Sequence, residues 1–286
     1  MTIHILTDSS HYLDPATVTA LNIHVLPLTL HLAGEDRRER LDVATEGLFE
    51  ALKDRNAGWP TTAAVSPATL TKAYDELTAN GGEVVGVFMS RGTSVTVENA
   101  QAAWAEHPNR ERLHIVDSLV ISGALGLTLR AVAQRRAEGM EAAELARVAR
   151  TMGERMRVMF TVDTLDYLHR GGRMKGSQAL VGTLLGIKPV LWLNEGRIEL
   201  WSRARGKKKA LDTMLEQTVK VMPAGEPVWA VLFDTGAPDE VETLDKALHE
   251  RLKVERLHRD QIGPVVAAHV GPGCVAMAVC PASATC

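Results

Sequence analysis

The sequence predicts an α/β fold of two domains, and three features of the chain lead to that prediction. Short β-rich runs alternate with longer Ala/Leu-rich helical stretches through the first half, which is typical of a parallel sheet covered by helices. Two long helices, near residues 121–138 and 141–155, then close that half. The second half instead combines strand-like runs with separate helices. We expect a three-layer α/β/α domain with a mainly parallel sheet over 1–155, and an α+β domain with a mixed or antiparallel sheet over 156–286.

The strands of the first domain are predicted from apolar runs that are rich in β-branched residues: IHILT (3–7), IHVLPLTL (23–30), EVVGVFM (83–89) and LHIVD (113–117). In the second domain, PVLWLNEGRIELW predicts a hairpin that turns at Glu195-Gly196. VWAVLFD and VVAAHVGPGCVAMAVC predict further strands, and helices are predicted near 207–221 and 238–252. No long flexible linker separates the halves, so we expect them to pack closely and to form a cleft.

Composition and charge exclude several classes of protein. The 286 residues are 45% apolar, which is enough for a real core, and the formal net charge of -3 provides no basic field for nucleic acid. The start, MTIHILTDSS, lacks the features of a signal peptide, and no apolar run reaches the roughly 18 residues of a membrane span. We therefore expect a cytoplasmic protein without stable membrane insertion. The three cysteines lie near the C-terminus without a metal-ligand spacing, so no metal is expected.

Small polar residues follow three of the predicted strands, in TDSS (7–10), SRGTS (90–94) and DS (117–118). Ligands of open parallel sheets bind beyond the carboxyl ends of the strands, which makes Asp8, Ser94 and Ser118 candidate binding residues. Each of these side chains can equally well cap the helix that follows it. Three such strand ends together favour a ligand site.

The segment SRGTSVTV, residues 90–97, admits more than one kind of site. A phosphate-binding loop is weakly supported, because the segment lacks both GxxxxGK[ST] and GxGxxG. A serine hydrolase stays open, because Ser94, Asp117 and His269 follow the chain order of the α/β-hydrolase triad. Against it, Thr96 stands where the nucleophile elbow needs glycine. The remaining interpretation is a passive hydrogen-bond donor to an oxyanion.

Two further segments are candidates for function. In HVGPGC, His269 leaves a predicted strand into a Gly-Pro-Gly turn, and a functional and a structural role are equally supported there. The cluster SRARGKKK at 202–209 places positive charge at the start of a predicted helix, where it opposes the helix dipole. That placement favours a negatively charged partner.

Six motifs, in order and spacing, resemble the DegV family of bacterial fatty-acid-binding proteins over about residues 3–282. They are LTDSS (6–10), LPLTL (26–30), HIVDS with Ser122, Gly123 and Gly126, LDYLHRGGRM (165–174), LLGIKPVL (184–191) and HVGPG (269–273). The resemblance implies a non-enzymatic carrier that holds one long-chain fatty acid, such as palmitate or oleate, in a tunnel between the two domains. It also implies a separate fatty acid kinase, related to dihydroxyacetone kinases, and no cofactor.

The resemblance assigns residues as well. The family's carboxylate ligands correspond to Thr62, Ser94 and His269, and the arginines that face the kinase correspond to Arg173 and Arg203. We expect three neighbouring residues to support the head group: Thr96, Asp8 and Ser118. A dihydroxyacetone-kinase-like enzyme is a further alternative, and it predicts a covalent adduct at His269.

The chain departs from the family pattern at two places near the expected head group. Ala63 follows Thr62 where most members have serine, which removes one hydroxyl. Val95 follows Ser94 where most members have glycine, and valine disfavours positive φ, so we expect a different backbone path there. A carboxylate entering an apolar tunnel needs donors to replace its water, and two hydroxyls and an imidazole are sufficient. If His269 is protonated, binding should weaken as pH rises through its pKa.

Overall fold

A computed structural model describes residues 2–52, 58–174 and 186–286. In chain order its strands are β1 (Ile3–Asp8), β2 (Ile23–Leu26), β3 (Thr29–Leu32), β4 (Glu35–Arg38), β5 (Thr61–Ala63), β6 (Glu83–Phe88), β7 (Leu113–Asp117), β8 (Arg157–Thr161), β9 (Ile187–Asn194), β10 (Arg197–Arg205), β11 (Pro227–Asp234), β12 (Lys253–Gln261) and β13 (Val275–Pro281). Its helices are α1 (Pro15–Ala20), α2 (Thr45–Ala51), α3 (Pro67–Thr78), α4 (Thr96–Ala105), α5 (Gly123–Ala137), α6 (Ala142–Arg155), α7 (Asp166–Arg170), α8 (Lys207–Val221), α9 (Pro238–Arg251) and α10 (Pro264–Val270).

The first half forms the predicted parallel sheet, with strand order β2-β1-β6-β7 and parallel pairing throughout. Helices α3 and α4 pack against this sheet together, and α6 packs against it beside α5. Strand β6 is buried along almost its whole length, as expected of a strand covered on both faces. The predicted α/β/α layering is confirmed.

The run at 23–30 is two strands rather than the single predicted one. Strand β2 belongs to the parallel sheet, whereas β3 belongs to a separate antiparallel sheet of order β4-β3-β5. The break falls at Pro27, which has no N–H to donate to a ladder, and the N–H of Leu28 donates to the Ser9 hydroxyl instead of to a strand. Thr62 lies on β5 of this small sheet, opposite Leu30 of β3.

The second half forms a mixed sheet of order β10-β9-β8-β13-β11-β12, antiparallel except for the β11–β12 pair. The predicted hairpin is confirmed, and both turn residues, Glu195 and Gly196, have positive φ, as a type I′ turn requires. Helices α8 and α9 pack on this sheet, and so do α5 and α6. Of these, α6 also packs on strands β6 and β7 of the parallel sheet. Gly123 permits one such contact, because a Cβ there would lie 2.8 Å from the ring of Phe233.

One prediction for the second half is wrong, and one strand was missed. The segment VVAAHV is helix α10, not a strand, because Pro264 occupies its first turn and six of its seven residues are buried, so β-branched residues fit it without strand pairing. Strand β12 was not predicted, because its sequence KVERLHRDQ is polar and lies at the edge of the sheet.

The division into domains 1–155 and 156–286 stays a proposal. The boundary falls where α6 ends, but α5 and α6 contact the mixed sheet, and one hydrophobic cluster contains residues from both halves, such as Ile5, Leu125 and Phe233. Among the residues that the structure describes, no helix has the length and hydrophobicity needed to cross a membrane.

Candidate binding site

A cavity of about 460 Å³ lies between the two halves of the chain. Its walls are largely apolar, and the side chains that form them include Leu28, Met89, Ile121, Leu168, Val265 and Val266. The polar residues on its walls come from four places. Strand β5 contributes Thr62, the loop between β6 and α4 contributes residues 91–94, the turn after α7 contributes Arg173, and α10 contributes His269.

Thr62 and His269 meet directly in this cavity, although they are 207 positions apart in the sequence. The Thr62 Oγ1 and His269 Nε2 atoms are 3.0 Å apart. Burial, with a smaller contribution from the positive charge of Arg173, lowers the pKa of His269 to about 4. The imidazole is therefore neutral near pH 7, so the protonated form considered from the sequence does not apply to the ligand-free protein there.

Gly171 allows His269 to take this position. A Cβ on Gly171 would lie 2.1 Å from Nδ1 of the imidazole, so any side chain at residue 171 would displace the ring. The Nδ1 atom is buried and has no hydrogen-bond partner among the described residues. Gly171 of the LDYLHRGGRM motif thus shapes the cavity.

Ser94 lies on the cavity wall and pairs with Thr96, which is buried and is not among the lining residues. Their hydroxyl oxygens are 2.9 Å apart, and the backbone N–H of Thr96 donates to Ser94 Oγ over 3.2 Å. Val95 between them has φ -85° and ψ 10° and is 59% exposed. Valine adopts this conformation without strain, so nothing in the loop requires glycine at residue 95.

Arg173 lines the same cavity and brings positive charge to it. Its Nε donates to the carbonyl of Thr93 over 3.3 Å, and its Nη1 donates to the carbonyl of Gly171 over 2.6 Å. Burial lowers the pKa of the guanidinium, which stays charged at neutral pH. Within the described part of the chain no carboxylate forms an ion pair with Arg173, whereas the neighbouring Arg91 is paired with Asp117 at 2.7 Å.

The second arginine assigned by resemblance is elsewhere. Arg203 is exposed on β10 and does not line the cavity. Its neighbour across the hairpin is Pro189, from the motif LLGIKPVL. Leu184 and Leu185 of that motif lie outside the described residues. Lys188 of the same motif has a structural contact, because its Nζ lies 2.8 Å from Oδ1 of Asp163.

Asp8 and Ser118, expected near the head group, do not reach the cavity. The buried carboxylate of Asp8 accepts from the N–H of Met89 at 2.8 Å and from the N–H and hydroxyl of Ser10, so it joins the ends of β1 and β6. Burial raises the pKa of Asp8. The Ser118 hydroxyl donates to the carbonyl of Val120 within a buried turn. Asp8 thus caps the short 3-10 helix Ser9–His11, which is the capping alternative that the sequence left open, whereas Ser118 holds a turn.

The hydrolase triad is not assembled. Asp117 accepts from Arg91 and from the N–H of Leu119, and its carboxylate makes no hydrogen bond to His269. The imidazole of His269 is hydrogen-bonded to Thr62 rather than to Ser94. A serine nucleophile needs a histidine base oriented by a carboxylate, and neither link is present. In the described ranges, no group of three or more His, Cys, Asp or Glu side chains could hold a metal ion.

Sequence reasoning did not place the apolar walls of the cavity or the position of Arg173 on them. Leu28, Leu168 and Val265 come from a strand junction, a short helix and another short helix, and no periodic pattern links them. The signal for Arg173 was present in LDYLHRGGRM, since it lies two residues after the glycine that makes room for His269.

Comparison with known proteins decides the family. The family model described as "Uncharacterised protein, DegV family" matches residues 2–282. The chain belongs to the DegV family. A DegV domain-containing protein of Streptomyces coelicolor is 33% identical over 277 residues, which are 96% of this chain and 97% of that protein.

Solved DegV structures share the fold. A DegV family protein from Thermus thermophilus, described by its fatty acid binding, superposes with a TM-score of 0.91 at 31% identity, over 98% of this chain and 100% of that one. A fatty acid binding DegV family protein from Streptococcus agalactiae superposes with a TM-score of 0.88 at 29% identity, over 98% and 99% of the two chains. The DegV fold, with a parallel four-stranded and a mixed six-stranded sheet, is therefore confirmed.

Proposed function

We propose that this protein binds one long-chain fatty acid, such as palmitate or oleate, in the 460 Å³ cavity, with the carboxylate at Thr62, Ser94 and His269. The observation that carries the proposal is the composition of the cavity. Hydroxyl and imidazole groups and a cation without a carboxylate partner among the described residues share one apolar enclosure. Such a site suits an anion that is attached to an apolar chain.

The energetics of such a ligand fit this arrangement. Each buried methylene contributes about 0.8 kcal/mol, so the acyl chain supplies most of the affinity. The carboxylate would lose its hydration on entering and needs donors in return. Thr62 and Ser94 can donate their hydroxyl protons, Thr96 lies within reach of Ser94, and Arg173 adds a positive charge nearby.

In this proposal the protein is a carrier without catalysis of its own, acting in the cytoplasm. The absence of an assembled triad at Ser94 supports that role, and so does the description of the Thermus thermophilus and Streptococcus agalactiae relatives by their fatty acid binding. The carrier would present its lipid to a separate fatty acid kinase. The exposed arginine Arg203 and Arg173 at the cavity are the residues we assign to that contact.

The direct test is native mass spectrometry of protein purified from cells, followed by solvent extraction of the bound lipid. We expect a 1:1 complex that releases a long-chain fatty acid. Protein that is repeatedly recovered empty, and that ignores added palmitate and oleate, would rule the proposal out. A fluorophosphonate probe serves as the enzyme control: the hydrogen-bond pattern of Ser94 predicts no labelling, and labelling at Ser94 would restore the hydrolase.

A further inference from the structure

A buried carboxylate outside the cavity organises the backbone around it. Glu39 follows β4 and is 1% exposed. Its Oε1 accepts from the N–H of Val265 at 2.8 Å and from the hydroxyl of Tyr12 at 2.9 Å. Its Oε2 accepts from the hydroxyl of Ser9 at 2.5 Å. Three donors from two distant parts of the chain thus converge on one side chain.

Each of the three donors either lines the cavity or accepts a hydrogen bond from a residue that does. Val265 lines the cavity itself, and Tyr12 accepts from the N–H of Val266, another wall residue, at 3.1 Å. Ser9 accepts from the N–H of Leu28, a third wall residue, at 3.0 Å. Glu39 is therefore connected to the backbone of three wall residues.

Helix α10 carries this connection to the head-group cluster. It has only seven residues, and two of the N–H groups in its first turn are held by Glu39 and Tyr12. His269 lies in its last turn, within hydrogen-bond distance of Thr62. The ring of Tyr12 packs directly against Gly263, where a Cβ would lie 2.1 Å from the ring. A shift at the start of α10 therefore moves the imidazole at its end.

We propose that Glu39 is a positioning residue for the fatty-acid site, holding α10 and the wall at Leu28 in the arrangement that binds ligand only while its carboxylate is ionised. This inference rests on the proposed function. Ionised Glu39 can accept all three bonds. Protonated Glu39 has to donate one, and the Ser9 hydroxyl, which already accepts from Leu28, is the partner that must turn.

The surroundings of Glu39 place this change near neutral pH. Burial raises the pKa of Glu39 to about 7, against the bonds from Ser9, Val265 and Tyr12, which lower it. The negative charge of Asp8 raises it further, and the positive charge of Arg40 faces the same carboxylate. From α10 the backbone N–H of Val265 faces it. Affinity for a fatty acid should therefore rise as pH increases through about 7 and then level off.

The test is Glu39→Gln, because glutamine, like a protonated glutamate, has one accepting carbonyl oxygen beside one donating group and nearly the same shape. Fluorescence titration with cis-parinaric acid at pH 6, 7 and 8 gives the ratio of the two dissociation constants, in which titration of the ligand itself cancels. We expect the variant to bind about tenfold more weakly at pH 8, the scale of one hydrogen bond to a charged group, and within about twofold at pH 6. Glu46→Gln, the same change at an exposed residue, should match the wild type at every pH.

Hydrogen exchange of the ligand-free proteins tests the anchor separately. The amides of Val265 and Val266 should exchange faster in Glu39→Gln than in the wild type at pH 8. If that variant does not fold, Tyr12→Phe decides: it removes the link to Val266 without changing charge, and it should bind about threefold more weakly at pH 8.

The outcomes separate the two proposals. A Glu39→Gln protein that binds as the wild type does, or with a ratio that ignores pH, overturns the positioning role and leaves fatty acid binding intact. Unchanged exchange at Val265 and Val266 overturns it as well. A wild-type protein that does not bind cis-parinaric acid overturns the proposed function, and this inference with it.

Discussion

Two cavities are lined in part by residues of helix α10, and the larger of them has the more polar walls. The larger, about 710 Å³, is lined by Gly263 and Pro264 at the start of α10, and the smaller, about 460 Å³, by Val265, Val266 and His269. Charged side chains dominate the larger cavity: Asp14, Arg40, Asp42, Glu46, Arg130, Arg259 and Asp260. Many of these charges already have partners, such as Arg130 with Asp260 at 3.6 Å.

An acyl chain would gain little in the larger cavity, because its walls would have to be desolvated without new hydrogen bonds. In the smaller cavity the walls are largely apolar, and hydroxyl and imidazole groups provide most of its polar surface. Of its two arginines, Arg91 is paired with Asp117, and Arg173 has no carboxylate partner in the described ranges. Volume alone therefore does not select the proposed binding site. Apolar walls and an arginine that lacks a carboxylate partner in the described ranges do.

The largest expected effect comes from filling one cavity and then the other with the same side chain. Ala64→Trp places an indole in the smaller cavity and should displace roughly four methylenes of ligand, which at about 0.8 kcal/mol each weakens binding by about 200-fold. Ala44→Trp makes the same change at the larger cavity and should leave the affinity for cis-parinaric acid unchanged. Equal losses from both variants, measured by fluorescence titration, would contradict the assignment of the ligand to the smaller cavity.

A second comparison uses the histidine of each cavity. Burial lowers the pKa of His269 and of His258, each to about 4. A bound carboxylate beside His269 should raise its pKa by about one to two units, because a neighbouring opposite charge favours the imidazolium, and should leave His258 unchanged. NMR titration of the imidazole Cε1 protons, with and without saturating oleate, measures both.

The sign of the linked effect follows from those values. The ligand-bound protein then holds more protons than the free protein between the free pKa of about 4 and the raised bound value. Binding should strengthen as pH falls through that window, so it weakens as pH rises. The direction expected from the sequence is thus retained, at lower pH. An oleate-induced shift in the pKa of His258 instead of His269 would place the head group in the larger cavity and contradict the proposed site.

Two matched variants on β5 test the proposed head-group contact. Thr62→Val deletes the hydroxyl that lies 3.0 Å from His269 while keeping the shape of the side chain, and it should weaken binding about tenfold. Thr61→Val, the same change at the exposed neighbouring residue, should have no effect. Isothermal titration with palmitate measures both variants. If Thr61→Val costs as much as Thr62→Val, the loss reflects the strand and not the hydroxyl.

The sequence predicted the layers of the fold better than the walls of the site. The parallel sheet followed from its apolar runs, and the hairpin followed from Glu195-Gly196, because both signals are local. The helix that carries His269 was predicted as a strand, since a short buried segment of β-branched residues has no periodicity that separates the two.

The connections to Glu39 were not predictable for a different reason. Its bond to Val265 joins residues 226 positions apart, and Glu39 itself lies in the charged run EDRRER, which has no apolar pattern. Asp8 shows the converse. As a polar residue at a strand end, Asp8 is a candidate binding residue in the sequence, but in the folded chain it joins the ends of β1 and β6.

The smallest expected effect concerns Val95, the residue that departs most visibly from the family pattern. Two contributions oppose each other in Val95→Gly. Glycine is a better N-cap for α4 than valine, by roughly 0.5–1 kcal/mol, whereas its freedom in the unfolded chain costs about 0.4–1 kcal/mol. Since Val95 is 59% exposed and has negative φ, little burial is lost and no strain is relieved. We expect the free energy of unfolding in urea to change by less than about 0.5 kcal/mol, and the affinity for cis-parinaric acid by less than about twofold. A clear stabilisation by glycine would show that the loop beside Ser94 is strained, and that the ligand-binding conformation differs from the one described here.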